Sequence, residues 1–294
     1  MADMITGLWA AMATPLDATG AVDHAALVRH GKWLLEQGCD GLVPFGTTGE
    51  GPSFSGAERL AAAEALLKGG IEAGRIALGT GCPAVPDTVA LTRGAMALGM
   101  THALVLPPYF FRDASEQGLE DAFAAIIDGV GSDRFRLTAY HIPQVSGVGV
   151  PAAALGRLRA RYGKVMAGVK DSTGDFDSFL AFRREAPEIG SMVGAEVLIH
   201  RAQHAGGVGT ICGMVNLVPA LVRDMFVRDT AVEAMQAACD LIEQPFIGVM
   251  KAALATMTGD AAWRAVRTPL RAADPAQGAR VAAGLAVLTA RRAA

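Results

Sequence analysis

A lysine at the end of an apolar run is the first residue in this sequence suited to covalent chemistry. Lys170 lies in MAGVKDSTGD, residues 166–175. A strand buried on both faces leaves its stem no route to water, and burial disfavours the charged form of an amine. A neutral amine attacks a carbonyl carbon to give a Schiff base; the same position also suits a structural ion pair with Asp171. The second feature is Gly46-Thr47-Thr48-Gly49-Glu50. Two glycines around two threonines permit a tight turn whose N–H groups converge on a small anion, with the hydroxyls as further donors. The plainer alternative is a turn into the next helix, with Glu50 near its start. The third is Tyr140-His141-Ile142-Pro143, where Tyr140 is either a proton relay or a core tyrosine with a satisfied hydroxyl.

These residues need a scaffold that brings strand ends together. Short apolar runs alternate with Ala/Leu-rich helical stretches along the chain. Strands are expected at Gly7–Pro15, Cys39–Phe45, Ile76–Gly81, Thr101–Leu106, Phe135–Ile142, Val165–Lys170, Met192–Ala195 and Val208–Cys212. Helices are expected after Asp23, a suitable N-cap, and over Gly56–Glu72, Pro86–Leu98, Glu116–Gly129, Pro151–Tyr162, Asp175–Glu185, His200–Ala205 and Val218–Val227. Strands alternating with helices imply parallel pairing, and eight such units imply an α/β protein, a closed (β/α)8 TIM barrel. The barrel is placed at residues 1–228. Residues 229–294, helical in period with breaks near Pro245, Gly259 and Pro269, are read as a C-terminal helical extension packed on it. An open doubly wound sheet is the structural rival, but residues 11–20 lack the Gly-rich phosphate loop it usually carries.

In a barrel the reactive groups gather at the C-terminal ends of the strands. That rule selects Gly46–Glu50, Tyr109 and Phe110, Tyr140 and His141, Lys170, and Glu196. Composition narrows the partners. The chain has 294 residues, 51% apolar and 19% charged, with 26 basic against 29 acidic residues. That length suffices to bury a large core without metal or disulfide. No basic stripe invites nucleic acid, and no apolar run reaches the length of a membrane span. Four scattered cysteines without C-x-x-C match a reduced, cytoplasmic setting.

Other patterns lead nowhere. His200 and His204 lie one helical turn apart, but H-E-x-x-H is absent, and no metal is expected. Gly206-Gly207-Val208-Gly209 enters a strand rather than leaving one. There is no Walker loop and no G-x-S-x-G.

Taken together, Thr14-Pro15 after strand 1, GTTGE at 46–50, PPYF at 107–110, YHIP at 140–143 and GVKDSTGD at 168–175 resemble the dihydrodipicolinate synthase / N-acetylneuraminate lyase family of pyruvate-dependent class I aldolases. The resemblance runs through nearly the whole chain in order and spacing. It implies a Schiff-base lyase or aldolase that joins or cleaves a 2-oxo acid such as pyruvate and an aldehyde. It also implies a homotetramer, a dimer of dimers. Lys170 would form the imine and Tyr140 would shuttle protons. Thr47 and Thr48 would hold the carboxylate beside Gly46, and Thr47 would orient Tyr140. Ile211 would offer a backbone carbonyl, while Glu196 and Ser172 would complete the substrate contacts. No metal or organic cofactor is implied, because the protonated imine is itself the electron sink. A sugar-acid dehydratase using the same imine and a non-catalytic ligand-binding barrel are the alternatives.

Departures from the family pattern bear on the substrate. The family's synthases carry an arginine five residues after the strand-5 tyrosine, on the aldehyde's carboxylate; here that position is Val145. The lyases of sialic acid carry two acidic residues after strand 7, where this chain has Glu196 and Val197, and a serine after strand 8 is Gly213. The second relay tyrosine, which crosses a subunit interface in the family, is Phe110, and His141 stands where asparagine is usual. Phe110, Phe111 and Val145 imply an apolar pocket for the second substrate.

Overall fold

Alternation of short apolar runs with helices produces a barrel in the computed structural model, which describes residues 3–226, 231–242 and 244–293. The strands are β1 Gly7–Met12, β2 Gly41–Pro44, β3 Ala77–Gly79, β4 His102–Val105, β5 Arg136–His141, β6 Met166–Asp171, β7 Gly190–Val193 and β8 Gly209–Cys212. They form one sheet in the order β2-β1-β8-β7-β6-β5-β4-β3, every pairing parallel. A single parallel bridge, Leu42 to Ile76, brings the two sheet edges together and all but closes the cylinder. Closure explains why β2 and β6 are buried along their whole length: helices cover the outer face and the barrel interior covers the inner one.

The helices are α1 His24–Glu36, α2 Gly56–Lys68, α3 Val85–Ala97, α4 Glu116–Val130, α5 Pro143–Ser146, α6 Ala152–Tyr162, α7 Phe176–Glu185, α8 Ile199–His204, α9 Pro219–Asp224, α10 Ala231–Asp240, α11 Phe246–Thr258 and α12 Pro275–Ala293. The starts of α1, α2, α4 and α7 are capped by side chains that satisfy otherwise orphaned N–H groups. The Asp23 carboxylate accepts from Ala26 N at 2.9 Å, as its position in the sequence implies. Ser55 and Glu58 form a reciprocal capping box on α2.

Most strand and helix boundaries lie within a few residues of those expected. The differences are local. β1 stops at Met12, because Ala13 N is taken by the Asn216 side chain rather than by a neighbouring strand. Between the strand expected to Ile142 and the helix expected from Pro151, where no element is expected, Pro143–Ser146 form the short helix α5, ended by Gly147 at φ 75°. Helix α9 ends at Asp224; Val227 and the 228/229 boundary between barrel and extension lie outside the described residues. Within the extension, Pro245 caps the start of α11 and Gly259 its end, which accounts for two of the breaks seen in the sequence. Among the described residues no helix is long and apolar enough to cross a membrane.

Candidate active site

Strand alternation decides which side chains enter the barrel. Successive residues of a strand point to opposite faces, so Lys170 and Asp171 cannot both face inward. Tyr140 of β5 and Lys170 of β6 are register partners, and both are buried. The Lys170 Nζ sits over the Tyr140 ring, 4.1 Å from its centroid. Asp171 is engaged elsewhere: its Oδ1 accepts from the N–H and hydroxyl of Thr173 at 2.9 and 2.7 Å. Among the described residues no carboxylate pairs with Lys170. The structural ion pair that the sequence left open is therefore not what the strand end builds.

The GTTGE turn delivers the third group. Thr47 Oγ1 and the Tyr140 hydroxyl share a hydrogen bond of 3.1 Å, joining loop β2–α2 to β5 across 93 residues. The turn closes on itself through Glu50 N to Thr47 O (3.1 Å) and Gly51 N to Gly46 O (2.9 Å). It is flanked by two non-glycine residues in the left-handed region, Phe45 at φ 60° and Glu50 at φ 57°. Such conformations cost about 1 kcal/mol or more each and persist where the surroundings over-determine them. Here the surroundings are backbone: a Cβ on Gly49 would lie 2.6 Å from Met12 O and 2.9 Å from Phe45 N. Only glycine lets the turn lie that close to β1.

The remaining expected residues surround this trio. Thr48 is buried, and its Oγ1 lies 3.1 Å from where a Gly213 side chain would begin. Gly213, in place of the serine expected by resemblance, is thus the point where the β8 turn meets the threonine turn. Ile211 lies in the interior cluster with Tyr140, Ile142 and Met192. Ser172 donates its N–H to His141 O at 2.9 Å. Glu196 faces inward, but its Oε1 is occupied by the N–H groups of Gly213 (3.0 Å) and Met214 (2.8 Å). Burial pushes the Glu196 carboxyl above its ordinary value, while those backbone donors and the nearby Lys170 charge oppose the rise. Its visible work is holding the β8 turn.

His141 faces away from the barrel interior. Its Nδ1 accepts from Val150 N at 2.8 Å, which leaves the proton on Nε2 of a neutral ring. Its ring packs edge-on to Phe182 at 5.1 Å. Burial pushes the imidazole below its ordinary value, with Asp171 opposing. This histidine secures the β5–α6 loop.

Two contributors escape sequence reasoning. Gly194, just past β7, leaves space for the lysine: a Cβ there would clash with Ser172 Oγ and lie 3.0 Å from Lys170 Cε. Lys251 of α11 reaches Glu50 and Thr14 O from the C-terminal extension. A glycine after a strand and a lysine in a late helix carry no local signal of such roles.

Beside the trio lies a cavity of about 590 Å³ whose walls include Thr47, Leu106, Phe110, Ile142, Val145 and, from the extension, Ile247. Its walls are mainly apolar, as Phe110 and Val145 suggest. Phe110 and Phe111 are 74% and 71% exposed in the single chain.

Residues 4–281 match the family model described as the dihydrodipicolinate synthetase family. A protein named uncharacterized DapA-like lyase from Chloroflexus aurantiacus is 36% identical over 273 residues, 90% of either chain. A 4-hydroxy-tetrahydrodipicolinate synthase of Rhodospirillum centenum is 33% identical over 225 residues, 76% of this chain and 74% of its own. The crystal structure of dihydrodipicolinate synthase from Agrobacterium tumefaciens superposes with a TM-score of 0.91 at 30% identity, covering 97% of this chain and 99% of that one.

Proposed function

The chain belongs to the dihydrodipicolinate synthetase family, and from that footing we propose that it is a Schiff-base lyase joining pyruvate, or a related 2-oxo acid, to an aldehyde. The observation that carries the reading is the Lys170–Tyr140–Thr47 arrangement: a buried amine 4.1 Å from a tyrosine ring, whose hydroxyl is bonded at 3.1 Å to a threonine of the Gly46–Glu50 turn.

The chemistry follows from those groups. Once it has given up a proton, the Lys170 amine adds to the keto carbon, and the carbinolamine loses water to leave an iminium. The iminium withdraws electrons from the adjacent methyl, which gives up a proton to become an enamine. The enamine carbon attacks the aldehyde carbon, the aldehyde oxygen takes up a proton, and water hydrolyses the imine to free Lys170 and product. Each proton needs a carrier, and Tyr140, ordered by Thr47, is the group within reach. The N–H groups of Thr47 and Thr48 make no hydrogen bond within the described residues. They and the two hydroxyls supply donors for the 2-oxo acid's carboxylate. No metal or organic cofactor enters this scheme, since the iminium is the electron sink.

The mainly apolar cavity supports an aldehyde as the second substrate over the polyhydroxyl chain of a sugar acid, so the dehydratase reading ranks second. The exposed Phe110 and Phe111 rings, 5.3 Å apart and edge-to-face, support burial against another copy in a homotetramer built as a dimer of dimers. We place the enzyme in the cytoplasm on its four free cysteines.

Borohydride reduction in the presence of pyruvate tests the scheme. Intact mass should rise by one reduced adduct, mapped to Lys170, and Lys170→Ala should fold but take no label and turn over no 2-oxo acid. Labelling of another lysine, or turnover by the alanine variant, would move the nucleophile elsewhere.

A further inference from the structure

Val145 leaves the cavity without the guanidinium expected five residues after Tyr140, but another guanidinium reaches the same turn. Arg112 follows PPYFF in the β4–α4 loop and lines the cavity with Phe110, Val145 and Ser146. Its side chain lies against Gly147, the residue that ends α5: a Cβ on Gly147 would be 2.8 Å from Arg112 Nε and 3.1 Å from Cζ. The glycine, at φ 75°, therefore gives the guanidinium its seat two residues beyond Val145. Among the described residues no carboxylate pairs with Arg112. The acidic residue lining the same cavity, Glu50, is spent on Lys251 and on the N–H of Arg267. The cavity thus presents an unpaired cation, exposed in the single chain, beside apolar walls, and the Glu50 carboxylate is not free to receive an ammonium group.

We infer that Arg112 recognises a carboxylate at the far end of the aldehyde substrate, so that the preferred acceptor is an uncharged aliphatic aldehyde body ending in a carboxylate. This rests on the aldolase reading above, with Lys170 carrying the 2-oxo acid. The planar fork of an arginine pairs with a carboxylate through two parallel hydrogen bonds, which lysine cannot reproduce. A body of methylene groups matches the Leu106, Ile142 and Ile247 walls. An α-ammonium group, as in aspartate semialdehyde, would lose its hydration without gaining a partner.

The test compares kcat/KM for 4-oxobutanoate, aspartate semialdehyde and butanal, each with pyruvate. The native enzyme is expected to prefer 4-oxobutanoate to both others. In Arg112→Gln the ratio of 4-oxobutanoate to butanal should fall about 10- to 100-fold, the range for a lost charge-assisted hydrogen bond. Arg112→Lys should recover part of that loss, and raised ionic strength should erode the native ratio. Gly147→Ala, which displaces the guanidinium without removing it, should lower the ratio in the same direction. A native preference for butanal or aspartate semialdehyde, or a ratio that neither Arg112→Gln nor Gly147→Ala changes, overturns the assignment. Those outcomes leave the lysine adduct in place, whereas absence of a pyruvate adduct in the native enzyme removes the aldolase reading and this inference with it.

Discussion

Lys251 and Glu50 form an ion pair of 2.6 Å with both side chains fully buried, linking helix α11 of the C-terminal extension to the last residue of the threonine turn. The same ammonium donates to Thr14 O at 2.8 Å, and the other Glu50 oxygen accepts from Arg267 N at 2.9 Å. Thr14 in turn donates its hydroxyl to Gly49 O at 2.9 Å. The turn is therefore held from outside the barrel, which gives a structural reason for the extension to pack where it does. Burial pushes the Lys251 amine down, and Glu50 opposes that.

Removing one partner of such a pair leaves an uncompensated buried charge. Lys251→Met is expected to lower unfolding free energy by about 3–5 kcal/mol and to raise the KM for pyruvate as the turn loosens. Pairing it with Glu50→Gln should cost less than the two single changes added. Denaturant titration of the three variants checks this; strict additivity would mean that the two groups do not act on each other.

Tyr140→Phe keeps the ring beneath Lys170 and deletes only the hydroxyl. Phe110 cannot carry a proton in its place, so any residual rate must pass through Tyr109, which lines the same cavity, or through water. Single-turnover rates are expected to fall about 10²- to 10⁴-fold while the borohydride adduct still forms at a reduced rate. Thr47→Val should lose less, since the phenol remains but is no longer oriented, and Thr47→Ser should restore most of the rate. Equal losses in Tyr140→Phe and Thr47→Ser would argue that Thr47 acts through its methyl rather than its hydroxyl.

Gly194→Ala places a methyl against Ser172 and within 3.0 Å of Lys170 Cε. Overpacking of this kind costs roughly 1–3 kcal/mol, and here the most mobile neighbour is the lysine itself. Adduct formation with pyruvate should slow more than stability alone accounts for. A variant with native labelling kinetics would show that the lysine stem accommodates the methyl freely.

What the sequence made legible follows from the range of each signal. Strand alternation and the strand-end rule are local, so Lys170, Tyr140 and the GTTGE turn are legible in the sequence alone. The Asp23 cap and the helices were visible for the same reason. Glu196 was visible as a position, but its commitment to Gly213 and Met214 depends on where β8 turns. Lys251 with Glu50, and Asn216 with His30, join residues 201 and 186 positions apart; no spacing rule spans that distance. Helix α5 was hidden because four residues are too few for a helical period to register.

His30 makes the pH dependence of stability specific. It sits on α1, stacked on Trp33 at 5.6 Å and edge-on to Trp263 at 4.8 Å. Its Nε2 lies 2.8 Å from Asn216 Oδ1. That oxygen also accepts from Ala13 N, while Asn216 Nδ2 donates to Ala11 O and Gly213 O. The amide orientation is fixed by those two carbonyls, so Nε2 must be the donor. Burial pushes the imidazole down to about 4, with the Asn216 hydrogen bond opposing. The unfolded chain, titrating near 6.5, therefore binds the proton more readily than the folded one. The contribution of neutral His30 to stability is complete above about pH 6.5, declines as pH falls, and is gone near pH 4, a change of roughly 3 kcal/mol across the window. Because Asn216 also bonds Gly213 O, loss of this histidine's neutral state should disturb the β8 turn before the barrel melts. Denaturant unfolding at intervals from pH 4 to 7, compared with His30→Gln, should show a slope in the native chain that flattens in the variant. NMR titration of the His30 ring gives the direct check: protonation near pH 6.5 in the folded protein would remove the basis for that slope.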